Sequence, residues 1–323
     1  MEKKRKIILD VDTGTDDSIA IMLAVLSKKF DILGITTVWG NQPVEYTTKN
    51  TLKVLEFLNS KVKVYKGCSE AMIWPHQEER AKHFVGDVIS YYDEKGKEHH
   101  LHPKNMPFPA TKRKAENKHA VSFLIETLMN SKEKITLIPV GPCTNIGMAF
   151  KLEPRIKNHI EEIVFMGGSD KTGNVTPTAE ANFWHDPDAV RLILKSGVKC
   201  VIGSLNATTS VPLTIDDVEL LEKMNTKYSK KAAQIVRIRM DVAKHLGWSD
   251  GTSETVHDPI TIAYLLDKKV AKRIERKEGD IYCGIEKEGT LLLKDNPKGN
   301  IHFIYEADKD RFYNIWKELL SKY

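Results

Sequence analysis

The amino-acid sequence predicts an α/β fold: a single domain over residues 1–323 with a mostly parallel central sheet flanked by helices and a small C-terminal β/α appendage. Three observations carry this reading. Short β-branched runs alternate with helical patterns; the runs are apolar throughout, as in strands covered on both faces; and the unusual polar residues follow directly after the runs, where such sheets bind ligands. The first strand is expected over residues 7–11, where Ile7, Ile8 and Leu9 precede Asp10, and a helix over 18–26 follows from its apolar periodicity. Strands over 32–38 and 62–65 enclose a helix over 44–58. A helix over 120–129, a strand over 135–140, a helix over 145–150 and a strand over 163–166 continue the alternation. Asp186 and Pro187 read as N-cap and first residue of a helix over 187–194, before a strand over 200–203. The C-terminal part offers runs over 280–284 and 290–294, a hairpin pattern, then a strand over 301–305 and a closing helix from Asp308. Two segments break the rhythm. Residues 67–118 are polar, rich in Lys, His and Pro, and lack a sustained period; residues 226–256 begin as a helix and dissolve around Gly247. Both are expected as active-site loops or lids.

Bulk properties narrow the partners. Lys and Arg number 49 against 44 Asp and Glu, and the net +5 is dispersed among mixed-sign segments, so no nucleic-acid partner is indicated. The basic start over residues 2–6 meets an apolar stretch that stops at Asp10, too soon for a signal sequence or membrane span, so no membrane partner and a cytoplasmic location are expected. Cys68, Cys143, Cys200 and Cys283 lack CxxC spacing, which predicts reduced thiols rather than a disulfide framework or zinc knuckle.

Asp10, Asp12, Asp16 and Asp17 fall within eight residues at the end of the first strand. Carboxylates so close raise one another's pKa unless a cation compensates, and a set without Cys or His points to a hard ion, Ca²⁺ or Mg²⁺. Gly14 allows the tight turn, and Asp16 and Asp17 suit the first turn of the following helix. The plainer alternative is an N-cap with a solvated acidic turn, but a cap needs one Asp. A second constellation, Met166 with Asn174, Glu180 and Asn182, follows a Gly-rich strand end; its amides and carboxylate suit the vicinal hydroxyls of a sugar. A third places His257 beside Asp258 and Pro259, giving an oxygen ligand and a titratable group at one junction, although Asp-Pro is also a plain helix start.

These motifs, in this order, resemble the nucleoside N-ribohydrolases, the inosine-uridine preferring nucleoside hydrolase family, whose signature D-x-D-x-G-x-D-D matches Asp10, Asp12, Gly14, Asp16 and Asp17. The resemblance runs nearly end to end, through Gly40 and Asn41, Pro139 to Gly141 with Thr144 and Asn145, and the Met166 and His257 blocks. It implies a Ca²⁺ held by Asp12, Asp17, the carbonyl of Val140 and Asp258, with Asp10 supporting the cluster from behind. Asp16 and Asn41 would meet the 2'-hydroxyl side of a ribose, and Asn174, Glu180 and Asn182 the 3' and 5' side, with Met166 packed near the sugar. The implied reaction is hydrolysis of a ribonucleoside to free base and ribose in nucleoside salvage, by a homodimer or homotetramer. Its transition state is oxocarbenium-like, and calcium lowers the pKa of a bound water only modestly. Asp12 is therefore expected to activate the metal-bound water, and His257 to assist the leaving base.

The sequence departs from the family at Thr13, where Pro is common, at Val85, where many members carry a His near the base, and at Ala181, which replaces an aromatic neighbour of Glu180. Base preference stays open. Trp74, Trp184 and Trp248 are expected as packing or loop aromatics rather than base-stacking ones. The run His99, His100, Leu101, His102 reads as an exposed lid, and the basic repeats over 112–118 and 227–239 as solvated faces. Two rivals remain. A haloacid-dehalogenase-like phosphatase would use Asp10 as nucleophile, and a non-catalytic calcium-dependent nucleoside- or ribose-binding protein would use the same sugar contacts.

Overall fold

The computed structural model describes residues 3–82 and 89–322 and is built on a nine-stranded sheet. In spatial order its strands are Leu291–Asp295, Ala271–Ile281, Ile301–Ala307, Cys200–Gly203, Ile160–Met166, Ile135–Pro139, Arg5–Val11, Phe30–Thr37 and Val64–Lys66. The seven from Ile301–Ala307 onward are parallel, and the hairpin of Ala271–Ile281 and Leu291–Asp295 continues the sheet antiparallel at one edge.

Side chains of the first strand alternate between the two layers of core. Ile7, Leu9 and Val11 pack toward the helices Thr15–Ser27, Lys227–His245, Pro259–Leu266 and Lys309–Ser321; Ile8 packs toward Ala120–Asn130, Thr144–Leu152 and Pro187–Leu194. Burial on both faces is why these strands read as unbroken apolar runs. The C-terminal part is not a separate appendage, because Ile301 pairs with Cys200 in the main sheet. Its first strand, between the edge strand Leu291–Asp295 and Ile301–Ala307, begins at Ala271, nine residues before the expected run at 280, because Lys272, Arg273, Glu275 and Arg276 leave no apolar run to read.

The two irregular segments are more ordered than the sequence suggests. The second is helical over Lys227–His245, and only its remainder is irregular, apart from a short pairing of Ser253–Glu254 with Leu213–Thr214. The first carries a hairpin, Ser90–Tyr92 with Glu98–His100, docked on that helix: the Tyr91 ring stacks on His99 and on His245 at 4.9 and 4.0 Å, and its hydroxyl donates to Asp241. Earlier in the same segment, Arg80 donates to Asp188 at the start of one helix and to both oxygens of Glu288 in the edge hairpin. The block from His83 to Gly86, Val85 included, lies outside the described residues. All four cysteines are free thiols, with Cys143 and Cys200 buried. Among the described residues no helix is long and apolar enough to cross a membrane.

The Arg80 staple is nearly dry, with its three side chains 9%, 14% and 8% exposed. Removing the cation leaves two buried carboxylates uncompensated, so Arg80→Ala is expected to lower the unfolding free energy by about 3 kcal/mol in urea titrations. A loss below about 1 kcal/mol would mean that the group is solvated.

Candidate active site

The acidic turn is buried, not solvated: Asp10, Asp12, Asp16 and Asp17 are 1%, 2%, 5% and 0% exposed. Asp17, in the first turn of Thr15–Ser27, accepts from the backbone N–H of Asp12 at 3.1 Å and of Gly14 at 2.9 Å, which folds the turn back on itself. The Asn41 amide donates to Asp17 at 3.2 Å, and the Asn41 backbone N–H to Asp12 Oδ2 at 2.7 Å. Asp12 Oδ1 has no hydrogen-bond partner and lies against Gly141, where a Cβ would stand 2.5 Å from it. Asp10 is held apart from this cluster: its Oδ1 accepts from Thr36 and Asn145, tying two strands to the helix Thr144–Leu152.

The two Asp-Pro pairs divide by geometry. Asp186 caps its helix, accepting from Ala189 N–H, and also accepts from Thr144 and Met72. Asp258 is already helical in φ and ψ and makes no capping bond. Its carboxylate joins Asp16 and Asp17 instead, one oxygen of each lying within 4.8 Å of the others.

Two residues that sequence reasoning set aside complete the cluster. Arg239, in Lys227–His245, is buried with its Nη1 3.5 Å from Asp16 Oδ2, donates to Thr15 Oγ1 and the Thr255 carbonyl, and pairs with Glu254. A signal existed: with Ala232, Ile235, Val236 and Ala243 it occupies the buried stripe of that helix, an odd place for a charge. His102, expected in an exposed lid, is 12% exposed and 3.8 Å from Asp16 Oδ1. No periodicity marks it.

The surroundings sort the carboxylates into unlike states. Burial would raise Asp16, but the charge of Arg239, with His102 and His257, outweighs burial and holds it at about 2. Burial first, then repulsion from Asp16, pushes Asp17 up to about 7; burial and the neighbouring carboxylates push Asp12 and Asp258 well above the carboxylate range. Burial also raises Asp10 to about 7. His257 is lowered to about 4, by burial and then by Arg239, so it is neutral near pH 7; its Nδ1 is 2.9 Å from Thr208 Oγ1.

Across the strand ends stands the third group. Asn182 donates to the carbonyls of Val140 at 2.9 Å and Met166 at 3.1 Å, and Glu180 caps the helix Ala181–His185 while accepting from Gly168 N–H. Asn174 accepts from Ala181 N–H but is itself exposed, the least enclosed of the expected residues. Val140 N–H bonds to the Asp10 carbonyl, so this wall and the acidic turn share adjacent strands. Trp184 is buried and Trp248 is 59% exposed. The all-oxygen donor set, with Asp12 Oδ1 and Asp16 Oδ1 buried and unpartnered, fits a hard divalent cation.

Comparisons with known proteins identify a family. The family model described as inosine-uridine preferring nucleoside hydrolase matches residues 7–314. The chain is similar to the pyrimidine-specific ribonucleoside hydrolase RihB of Escherichia coli O1:K1 / APEC, 38% identical over 99% of this chain and 98% of that protein. It superposes on a purine-preferring ribonucleoside hydrolase from Gardnerella vaginalis with a TM-score of 0.82 at 28% identity, covering 98% of both chains. It shares the fold of the plant nucleoside hydrolase PpNRh1, with a TM-score of 0.84 at 24% identity over 99% of this chain and 100% of that one.

Because the fold raises Asp17 from 3.8 to about 7, the metal-free protein gains stability from that proton below the lower value and loses it as pH rises through the upper one. A cation reverses the trend, since it binds ionised carboxylates and displaces their protons. The difference in melting temperature between calcium-loaded and chelated protein is expected to widen from about pH 5 to about pH 8. A difference flat in pH would place the cation elsewhere.

Proposed function

The chain belongs to the inosine-uridine preferring nucleoside hydrolase family, and on that premise we propose that it is a calcium-dependent ribonucleoside hydrolase releasing free base and ribose, with pyrimidine nucleosides preferred. The observation that carries the reading is the buried set of Asp12, Asp16, Asp17 and Asp258 at the carboxyl ends of the parallel strands. The pyrimidine preference rests on the 38% identity to a relative named for it.

Asp12, Asp17, Asp258 and the Val140 carbonyl would hold the ion. Bound there, calcium orients the sugar diol and eases ionisation of water. Asp12, whose Oδ1 is buried and accepts no hydrogen bond from the protein, takes the proton from the attacking water. Asp16, kept ionised by Arg239, accepts a hydrogen bond from the 2'-hydroxyl, together with Asn41. Glu180, Asn182 and Asn174 bind the 3' and 5' side, and Met166 packs under the ring, so the flattened oxocarbenium-like sugar is held while its C1'–N bond breaks. His257 assists the base as a neutral imidazole. Its Nδ1 lies 2.9 Å from Thr208 Oγ1, which holds the ring in place. Burial and the charge of Arg239 hold its proton affinity down, which favours hydrogen bonding over full proton transfer from an imidazolium. Asp10 supports the turn through Thr36 and Asn145, which leaves it poorly placed for the phosphatase chemistry of a nucleophilic Asp. A salvage role, a cytoplasmic location and a homodimer or homotetramer complete the proposal.

Ribose release from uridine, cytidine, inosine, adenosine and guanosine, before and after chelation, tests this directly. Chelator-sensitive release led by uridine and cytidine is expected; a lead by inosine or guanosine would overturn the base preference, and no release with calcium bound would overturn hydrolysis. Asp12→Ala is expected to lose calcium and turnover together, and retention of both would remove it as ligand and base. His257→Ala should cut kcat/KM for uridine by about 10² or more while sparing a nitrophenyl riboside, whose leaving group needs no help.

A further inference from the structure

The wall proposed to hold the sugar has little framework of its own. Between Met166 and Ala181 the chain forms no helix or strand beyond a single bridge at Ala179, and the helix Ala181–His185 is short. Glu180 nonetheless has both oxygens committed: Oε2 accepts from Gly168 N–H at 2.7 Å and Phe183 N–H at 3.2 Å, and Oε1 from Asn182 N–H at 2.9 Å. Asn174 is tied to the same stretch, since its backbone N–H donates to the Ala179 carbonyl at 3.1 Å. These bonds fix the wall internally and leave its position on the sheet to whatever stands behind it.

What stands there is the connection of the edge hairpin. Residues 282–290 join Ala271–Ile281 to Leu291–Asp295, more chain than two paired strands need. The first half is exposed at Tyr282 and Ile285, and the second half turns inward. Glu288 is gripped by Arg80, which also holds Asp188. Gly289, at a φ of +74°, passes so close to the wall's helix that a Cβ would stand 2.5 Å from Trp184 Cα. Thr290 bridges Ala179 in antiparallel register and sets its hydroxyl 2.7 Å from that of Thr178. Leu291 packs on Gly168, where a Cβ would meet its Cδ2 at 3.2 Å, and Gly168 is the residue whose N–H holds Glu180. Gly289, Thr290 and Leu291 thus touch the wall both before and after Glu180 in the chain.

We propose that this connection is a strut that sets the sugar wall, with Gly289 and Thr290 as positioning residues for the 3' and 5' contacts. Arg80 fixes Glu288, and the connection closes on itself, Tyr282 N–H donating to the Thr290 carbonyl at 3.0 Å and Gly289 N–H to the Tyr282 carbonyl at 2.9 Å. The wall takes its place against that closed loop. Gly289 and Thr290 act through Glu180 and Asn182, whose placement to within about an ångström decides how well a hydroxyl is gripped. This inference rests on the proposed hydrolysis and on Glu180, Asn182 and Asn174 facing the 3' and 5' side.

A pair of substrates separates positioning from plain packing. In the calcium-loaded full chain, Gly289→Ala is expected to lower kcat/KM for uridine by about tenfold and for 5'-deoxyuridine by less than about threefold, because the second nucleoside lacks one of the hydroxyls the wall grips. Equal losses on both nucleosides, or wild-type kinetics on uridine with only a lowered melting temperature, would overturn the proposal. Where Gly289→Ala does not fold, the milder changes at Thr290 decide. Thr290→Val removes the hydroxyl contact to Thr178 and should lose about threefold on uridine, and Thr290→Ser should restore it. Equal activity of the valine and serine variants would overturn the role of Thr290. Failure of the wild type to release ribose from any nucleoside would defeat the hydrolase reading itself, a result distinct from all of these.

Discussion

The structure is organised around buried negative charge. Asp16, Asp17 and Asp258 bring carboxylate oxygens within 4.8 Å of one another, with Asp12 bound to the same turn. Two ionised groups at that distance repel by roughly 3 kcal/mol at an effective dielectric constant of 20. Arg239 answers part of this charge and is shared with Glu254. The remainder has to be carried as protons on Asp12, Asp17 and Asp258 or neutralised by a cation, and the raised proton affinities of these residues measure how far the protein alone falls short. An arrangement of this kind is costly to the fold and useful only with a ligand.

The parallel sheet is what makes the concentration possible. Arg5–Val11 and Ile135–Pro139 are neighbours whose carboxyl ends open on the same side, so Asp12 and Val140 arrive together without any loop having to place them. Helix starts supply the rest: Asp16 and Asp17 in the first turn of one helix, and Asp258 at the head of another. These are rigid positions where N–H dipoles favour negative charge. Asp186 has the same neighbour, Pro187, yet spends its carboxylate on Ala189, Thr144 and Met72. The difference between two identical dipeptides therefore lies in backbone conformation, with Asp258 helical and free of capping duty.

Residues whose role depends on local pattern were readable in the sequence. The apolar runs located the inner strands, and the density of Asp after the first run marked the buried carboxylate cluster. Residues whose role depends on long-range approach were not. Arg239 reaches Asp16 from 223 positions away and resembles its exposed neighbour Arg237 until the buried stripe of the helix is drawn. His102 follows a histidine-rich stretch with no period, and only the close packing on Gly14 shows that it belongs to the turn. The strand Ala271–Ile281 was hidden because the charges along its exposed residues resemble a loop.

The departure at Thr13 shows how the turn keeps its shape without a proline. Thr13 is fully buried, its hydroxyl 2.6 Å from that of Thr51, which itself donates to the Thr47 carbonyl in the helix Val44–Phe57. From the same helix Asn50 donates to the Thr13 carbonyl, and it is also the residue that holds Pro103 and Met106. A proline would stiffen the backbone through its own ring; here stiffness is borrowed from a neighbouring helix at roughly 1 kcal/mol per hydrogen bond. The substitution has a structural consequence beyond rigidity. With Asn50 bonded on one side to the acidic turn and on the other to the segment carrying His102, the two cannot shift independently without leaving a buried amide unpaired. The irregular segment over 67–118 is thus fixed to the site at its return end, whatever freedom its hairpin has against the helix Lys227–His245.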